Sequence, residues 1–160
     1  MDTVVCVRTA NESTKAMEGT MQIRKILVPV DGSEHARRAT VYAAEFAAMV
    51  QASVLLVHSR MSIPPLLGQA AYDEVRNSLN ARAESLLEPY REILRGAGIS
   101  FEDRILEGPA ETAIVDAVRA EKCDHIILGS RGVSELEGLL LGSVTRRVLQ
   151  LAPCPVTVVR

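Results

Sequence analysis

The chain has 160 residues, with 18 basic and 20 acidic side chains and a net charge of −2. This length corresponds to one domain, and a hydrophobic content of 48% is ordinary for a globular protein and not for a disordered one. The balanced charge and the 3% aromatic content argue against a nucleic-acid partner. Because no apolar run approaches the roughly 20 residues that span a bilayer, we also expect no membrane segment.

The cysteines and histidines show none of the spacings that bind metal. Cys6, Cys123 and Cys154 are an odd, scattered set, which argues against a disulfide framework and a zinc site and favours the reducing cytoplasm. His58 and His125 lie in apolar segments, where a buried, hydrogen-bonded histidine is the expected role. We therefore predict that the protein alone provides no metal site.

Residues 1–22 differ from the rest of the chain because they mix polar and charged side chains without an apolar period. The apolar stretch 3–7 is too short for the core of a signal peptide, and no basic segment precedes it. We interpret residues 1–22 as a tail and assign the folded domain to residues 23–160.

From residue 25 onward, short apolar strands alternate with helices. Ser33 is placed to cap the first helix, and Gly108-Pro109 opens the third. Apolar spacing from Tyr72 to Leu94 predicts a long second helix, and Val144 and Val148 belong to the last one. Strands are predicted at 26–30, 53–58, 100–106, 125–128 and 155–159. This alternation predicts an α/β fold, with an open parallel sheet covered by helices on both faces.

Two strand ends carry the candidate binding chemistry. The first strand ends in Pro29-Val30-Asp31, and the fourth ends in Gly129-Ser130-Arg131-Gly132. Ligands of open parallel sheets bind beyond the carboxyl ends of the strands, and glycines let the backbone approach an anion. Gly142-Ser143 begins the last helix, whose N-terminus favours phosphate and where Ser143 and Thr145 add hydroxyl donors. Asp31 is placed to meet a ribose hydroxyl or a phosphate-bound metal ion.

The alternative is that these glycines serve turns only. A P-loop, a dinucleotide fingerprint and a nucleophile elbow are all absent from the sequence, which argues against fast phosphoryl transfer and against a serine hydrolase.

The chain resembles the universal stress protein family. The segment Lys25-Ile26-Leu27-Val28-Pro29-Val30-Asp31-Gly32-Ser33 is similar to the family's opening strand. The spacing Gly129-x2-Gly132-x9-Gly142-Ser143 matches its ATP-binding pattern. The resemblance covers residues 23–160 and implies an adenine-nucleotide α-hydrolase-like fold, with five parallel strands in the order 3-2-1-4-5.

The resemblance also implies a ligand, ATP, with Mg²⁺ or Mn²⁺ on its phosphates. Pro29 and Asp31 would lie near adenine and ribose, and Ser59 would touch adenine. The residues expected around ribose and phosphates are Gly129, Arg131, Gly132, Gly142, Ser143 and Val144. Val30, Ser130 and Thr145 complete the candidate set.

The resemblance further implies a homodimer through the last strand, a role in stress resistance and slow or no hydrolysis of ATP. The apolar strand 156–159 would be a sheet edge in a monomer, which invites pairing with a second copy.

Two other hypotheses remain open at this point. One is an enzyme of the same fold, an ATPase or an ATP pyrophosphatase-like protein, although its usual loop after the first strand is missing. The other is a nucleotide-free scaffold that acts through protein contacts, which the leucines at 136, 139, 140 and 141 would suit. The sequence does not identify the stress signal or a protein partner.

Overall fold

The computed structural model describes residues 22–63, 68–133 and 140–160, and the backbone of residues 4–7. The strands are β1 (Val4–Val7), β2 (Lys25–Pro29), β3 (Ser53–Arg60), β4 (Phe101–Glu107), β5 (His125–Gly129) and β6 (Val156–Val159). The helices are α1 (Glu34–Val50), α2 (Gln69–Gly96), α3 (Ala110–Ala120) and α4 (Ser143–Leu151). No helix in these ranges is long and apolar enough to cross a membrane.

The strands form one sheet in the order β1-β6-β5-β2-β3-β4. Strands β2 to β6 are mutually parallel and follow the predicted order 3-2-1-4-5 when they are numbered without β1. Because side chains alternate between sheet faces, Ile26 and Val28 pack under α1 and α2, and Leu27 packs under α3 and α4. The predicted fold class and the two helical layers are confirmed.

The N-terminal tail contains a strand that the sequence analysis missed. Strand β1 pairs antiparallel with β6, with Val4 opposite Val159 and Val7 opposite Val156. The interpretation of residues 1–22 as a tail outside the folded domain therefore does not hold for residues 4–7, and β6 is not the edge of the sheet that the sequence led us to expect. A run of four residues is too short to stand out in a sequence, but it matches the length of the apolar strand that it covers.

Helix α1 packs unusually close to the sheet. The Ser33 hydroxyl accepts a hydrogen bond from the Ala36 N–H at 3.1 Å, which confirms the predicted cap. The face toward the sheet consists of small residues, Ala36, Ala39, Ala43 and Ala47, all buried. A Cβ at Gly129 would lie 2.7 Å from the carbonyl carbon of His35. Gly129 is therefore required for the approach of α1 to β5.

The remaining sequence expectations have mixed outcomes. Cys123 and Cys154 are buried, and burial raises their thiol pKa to about 11 and about 12. Of the leucine cluster, Leu141 packs against the core and the Leu140 side chain is 70% exposed. Leu136 and Leu139 lie outside the described residues.

Candidate functional site

A cavity of about 300 Å³ opens at the carboxyl ends of β2, β3 and β5. This is the crevice that parallel sheets use for ligands. All of the predicted site residues line it except Ser130: they are Pro29, Val30, Asp31, Ser59, Gly129, Arg131, Gly132, Gly142, Ser143, Val144 and Thr145. The topology therefore brings together two loops that are about 100 residues apart in sequence.

One wall of the cavity is apolar and was not predicted as part of the site. It is lined by Ala36, Val57, Ala110, Ile114, Leu128 and Leu141. The sequence does not distinguish these residues from core residues, because each belongs to an apolar face of a strand or helix, or to the leucine cluster. Most of them are buried in the structure. The wall provides an apolar surface of the kind that a flat heterocycle can occupy.

Asp31 joins the two loops. Its Oδ1 accepts a hydrogen bond from the Ser33 N–H at 3.0 Å, and its Oδ2 accepts one from the Val133 N–H at 3.1 Å. A Cβ at Gly132 would collide with Oδ2, so the absence of a side chain there lets the loops meet. Both carboxylate oxygens already accept backbone hydrogen bonds, which makes Asp31 first a positioning group for the cavity wall.

Helix α2 also contacts the loop that follows β2. Gly32 has a φ of +91°, a left-handed conformation that favours glycine, and its N–H donates to the Tyr90 hydroxyl at 3.1 Å. Tyr90 is buried, and burial raises the pKa of its phenol. The phenol therefore stays neutral at physiological pH and fixes the loop that carries Asp31.

The cavity lining also includes a cationic group beside a helix N-terminus. The Nε of Arg131 is buried and has no hydrogen-bond partner among the described residues. Gly142 is the N-cap of α4, with no side-chain cap bond, and a Cβ there would lie 3.3 Å from the Arg131 Cα. An arginine and an uncapped helix N-terminus side by side form an arrangement suited to an anion.

Several hydroxyl groups predicted to face the ligand bind protein groups instead. Thr145 is buried and its hydroxyl donates to the Gly129 carbonyl at 2.9 Å. The Ser130 hydroxyl lies 3.3 Å from Nδ1 of His35, which turns it toward α1 and out of the cavity. In this structure the Thr145 hydroxyl therefore donates to the protein and not into the cavity. Ser59 donates to the Gly108 carbonyl at 2.7 Å, while Ser143 remains exposed at the start of α4.

His58 lies in the cavity lining, a position that the sequence did not indicate. Its Nδ1 is 2.9 Å from the Val30 carbonyl oxygen, which can only accept, so Nδ1 carries the proton. The predicted hydrogen-bonded role is confirmed, although the ring is only half-buried. In the neutral ring, Nε2 is consequently an acceptor, and no described residue donates to it.

Charged groups and potential metal ligands are sparse in this cavity. Asp31 is the one carboxylate among its described lining residues, while Arg131 and Arg146 provide positive charge. Within the described ranges, no group of three or more histidine, cysteine or acidic side chains is placed to hold a metal ion. Arg146 is exposed on α4 and borders the cavity, whereas the neighbouring Arg147 bonds to Gln150.

Comparison with known proteins gives a consistent family match. The universal stress protein family matches residues 22–160. A universal stress protein of Thermus aquaticus is 36% identical over 138 residues, which cover 86% of this chain and 98% of that protein. The solved structure of MJ0577, a universal stress protein of Methanocaldococcus jannaschii, superposes with a TM-score of 0.77 at 32% identity, covering 86% of this chain and 96% of that one.

Two more distant solved structures contain adenine nucleotides. A universal stress protein in complex with cAMP is 24% identical, with a TM-score of 0.67, and covers 86% of this chain and 96% of its own. A family protein of Arabidopsis thaliana with AMP bound is 23% identical, with a TM-score of 0.62, and covers 84% of this chain and 90% of its own. At these identities the likeness shows the shared fold.

Proposed function

Because the chain belongs to the universal stress protein family, we propose that it binds an adenine nucleotide, ATP with Mg²⁺ or Mn²⁺ on its phosphates. We propose that it acts in the cytoplasm as a regulatory stress-resistance protein with weak or no ATP hydrolysis. The observation that carries the proposal is the buried, unpartnered Arg131 Nε beside the uncapped N-terminus of α4. A buried guanidinium nitrogen without an acceptor calls for an anion, and phosphate meets that need.

The cavity lining combines the two kinds of surface that a nucleotide requires. The apolar wall suits a base, and Arg131 beside the N-terminus of α4 suits phosphates. His58 Nε2 offers an acceptor, which complements the exocyclic amine of adenine but not the carbonyl that guanine carries at the same ring position. The cAMP and AMP complexes of relatives share this base and one phosphate with ATP.

Slow hydrolysis follows from the state of Asp31. A general base must direct an oxygen at the attacking water, whereas each oxygen of Asp31, the one carboxylate in the described lining, is held in place by a backbone N–H group. A bound Mg²⁺ would neutralise phosphate charge, and Asp31 is the carboxylate near which it would lie. We therefore place this chain among nucleotide-binding proteins and not among fast ATPases.

A nucleotide-free scaffold is the second candidate. It is favoured by the exposed apolar side chains of Val133 and Leu140, each 70% exposed, at the two ends of the segment 134–139. This candidate predicts protein contacts that do not depend on nucleotide.

Titration calorimetry with ATP, AMP and GTP, with and without Mg²⁺, tests the proposal after co-purified nucleotide has been removed. We expect Arg131→Gln to weaken ATP binding by roughly 10- to 100-fold, since a hydrogen bond to a charged group contributes about 1.5–3 kcal/mol. Arg147→Gln is the matched control, because Arg147 is an exposed residue of α4 that bonds to Gln150 and does not line the cavity.

Equal affinity of the Arg131→Gln variant and the unchanged protein for ATP would refute our placement of the phosphates. An unchanged protein that binds no adenine nucleotide at millimolar concentration would make the scaffold the leading function.

A further inference from the structure

The edge of β6 is defined by its hydrogen bonds to β5. The Pro155 and Val159 carbonyls accept from the Ile126 and Ser130 N–H groups at 3.0 and 2.7 Å. Backbone groups of successive strand residues point to opposite sides, so the N–H and C=O groups of Val156 and Val158 point away from β5. These groups face β1, whose Val5 lies opposite Val158.

The opposite edge of the sheet is protected by its own side chains. Strand β4 pairs on one side with β3, and its exposed positions are charged: Glu102, Arg104 and Glu107. Charged side chains on an edge strand oppose pairing with another chain. Strand β6 has no such protection, since Val156, Val158 and Val159 are apolar and, together with Thr157, at most 5% exposed. The β6 edge is therefore the pairing-competent edge.

Strand β1 lies outside the family domain, because the match begins at residue 22. Its end at Val7 and the start of β2 at Lys25 lie at the same end of the sheet, about three strand spacings or roughly 14 Å apart. Residues 8–24 are long enough to connect these two points, since an extended chain covers about 3.3 Å per residue. One chain can thus pair β1 with its own β6.

We propose that β1 is an intramolecular cap that blocks the β6 edge, the edge through which the family resemblance implies a homodimer. In this arrangement, β1 competes with a second copy for the backbone groups of Val156 and Val158. A second β6 would pair antiparallel about a two-fold axis, because such a contact satisfies the same groups on both copies. The homodimer predicted from the sequence then forms when β1 leaves the edge.

Two proline variants of the full chain separate the pairing role of β1 from its mere presence. Val5 lies opposite Val158, so its N–H points toward β6, and Val5→Pro removes a hydrogen-bond donor from the ladder. Cys6 is the next residue, its N–H points away from β6, and Cys6→Pro is the matched control. Light scattering with size-exclusion chromatography measures the mass, and hydrogen exchange follows the Val156 and Val158 amides.

We expect the unchanged protein and Cys6→Pro to elute at the mass of one chain, 17.4 kDa, and Val5→Pro to shift to twice that mass in a concentration-dependent manner. The Val158 amide should exchange rapidly in dilute Val5→Pro and become protected as the dimer forms. Two results would overturn the proposal: a Val5→Pro variant that stays monomeric at all concentrations, or an unchanged protein whose dimer is identical in both variants.

Discussion

His125 shows how one buried side chain couples folding to pH. Its Nε2 lies 2.8 Å from the Thr157 hydroxyl, its Nδ1 has no partner in the described parts of the chain, and the Phe46 ring packs 5.7 Å away. Burial lowers the pKa of this imidazole, so the folded protein holds it neutral. The sequence predicted a buried, hydrogen-bonded histidine here, and that prediction is confirmed.

Stability should therefore decrease on acidification. Below about pH 6.5 the unfolded chain takes up a proton at His125 that the folded protein does not, so the free energy of unfolding falls until the lower, folded pKa is reached. Above pH 6.5 both states are neutral and the residue contributes no pH dependence. Denaturant titrations at pH 7.5 and 5.5 should show a smaller loss of stability in His125→Gln than in the unchanged protein. Equal losses in the two proteins would contradict this assignment.

The sequence also identified most of the site at the level of residue identity, but it did not reveal where the side chains point. Asp31 and Arg131 were expected in the site and line the cavity. The Thr145 hydroxyl was expected to donate to the ligand, but it donates to the Gly129 carbonyl. A hydroxyl that begins a helix can bond forward to a ligand or back to the sheet, and only the packed fold selects between the two.

Helix α2 controls the site without touching the cavity. Its C-terminal half packs on the sheet through Leu87 and Leu94, and the same half carries Tyr90, which holds Gly32. The N-terminal half is largely exposed and includes Tyr72, with Arg76 lying 5.8 Å from its ring centre. The periodicity predicted the helix, but it did not predict that one phenol supports the loop of Asp31.

Removal of that phenol should loosen the loop. Tyr90→Phe leaves the Gly32 N–H without its acceptor, which should cost about 1 kcal/mol of stability and weaken nucleotide binding. Tyr72→Phe on the same helix is the control, and it should change neither quantity. Calorimetry measures the ATP affinity of both variants, and denaturant unfolding measures their stability. Unaltered ATP affinity in Tyr90→Phe would show that the loop is held by Asp31 alone.

At the scale of the whole molecule, two helical layers pack on the two faces of one sheet, and the cavity lies at the carboxyl ends of its strands. Apolar runs and turn residues were enough to predict this architecture. The short strand β1 was missed because its signal is a contact with β6, which lies about 150 residues later in the chain. The apolar cavity wall was missed because Ile114 and Leu128 serve both the core and the site.

A ligand that bridges the loops at this edge should stabilise the entire fold. A nucleotide present at about 100 times its Kd contributes about 2.7 kcal/mol, which corresponds to a rise in Tm of roughly 5–10 °C for a chain of this size. Thermal unfolding with ATP, and with GTP at the same concentration, measures the effect. We expect the smaller shift with GTP, and an equal shift with both would contradict base recognition by His58.

The pairing of β1 with β6 also brings distant parts of the polypeptide to one corner. Val4 lies opposite Val159, and the Val159 carbonyl accepts from Ser130 in the loop beside the cavity. A bulky group attached beside Val4 or Val159 would therefore lie next to the ligand entrance. The same proximity means that a covalent link between the two strands would span little more than ~5 Å.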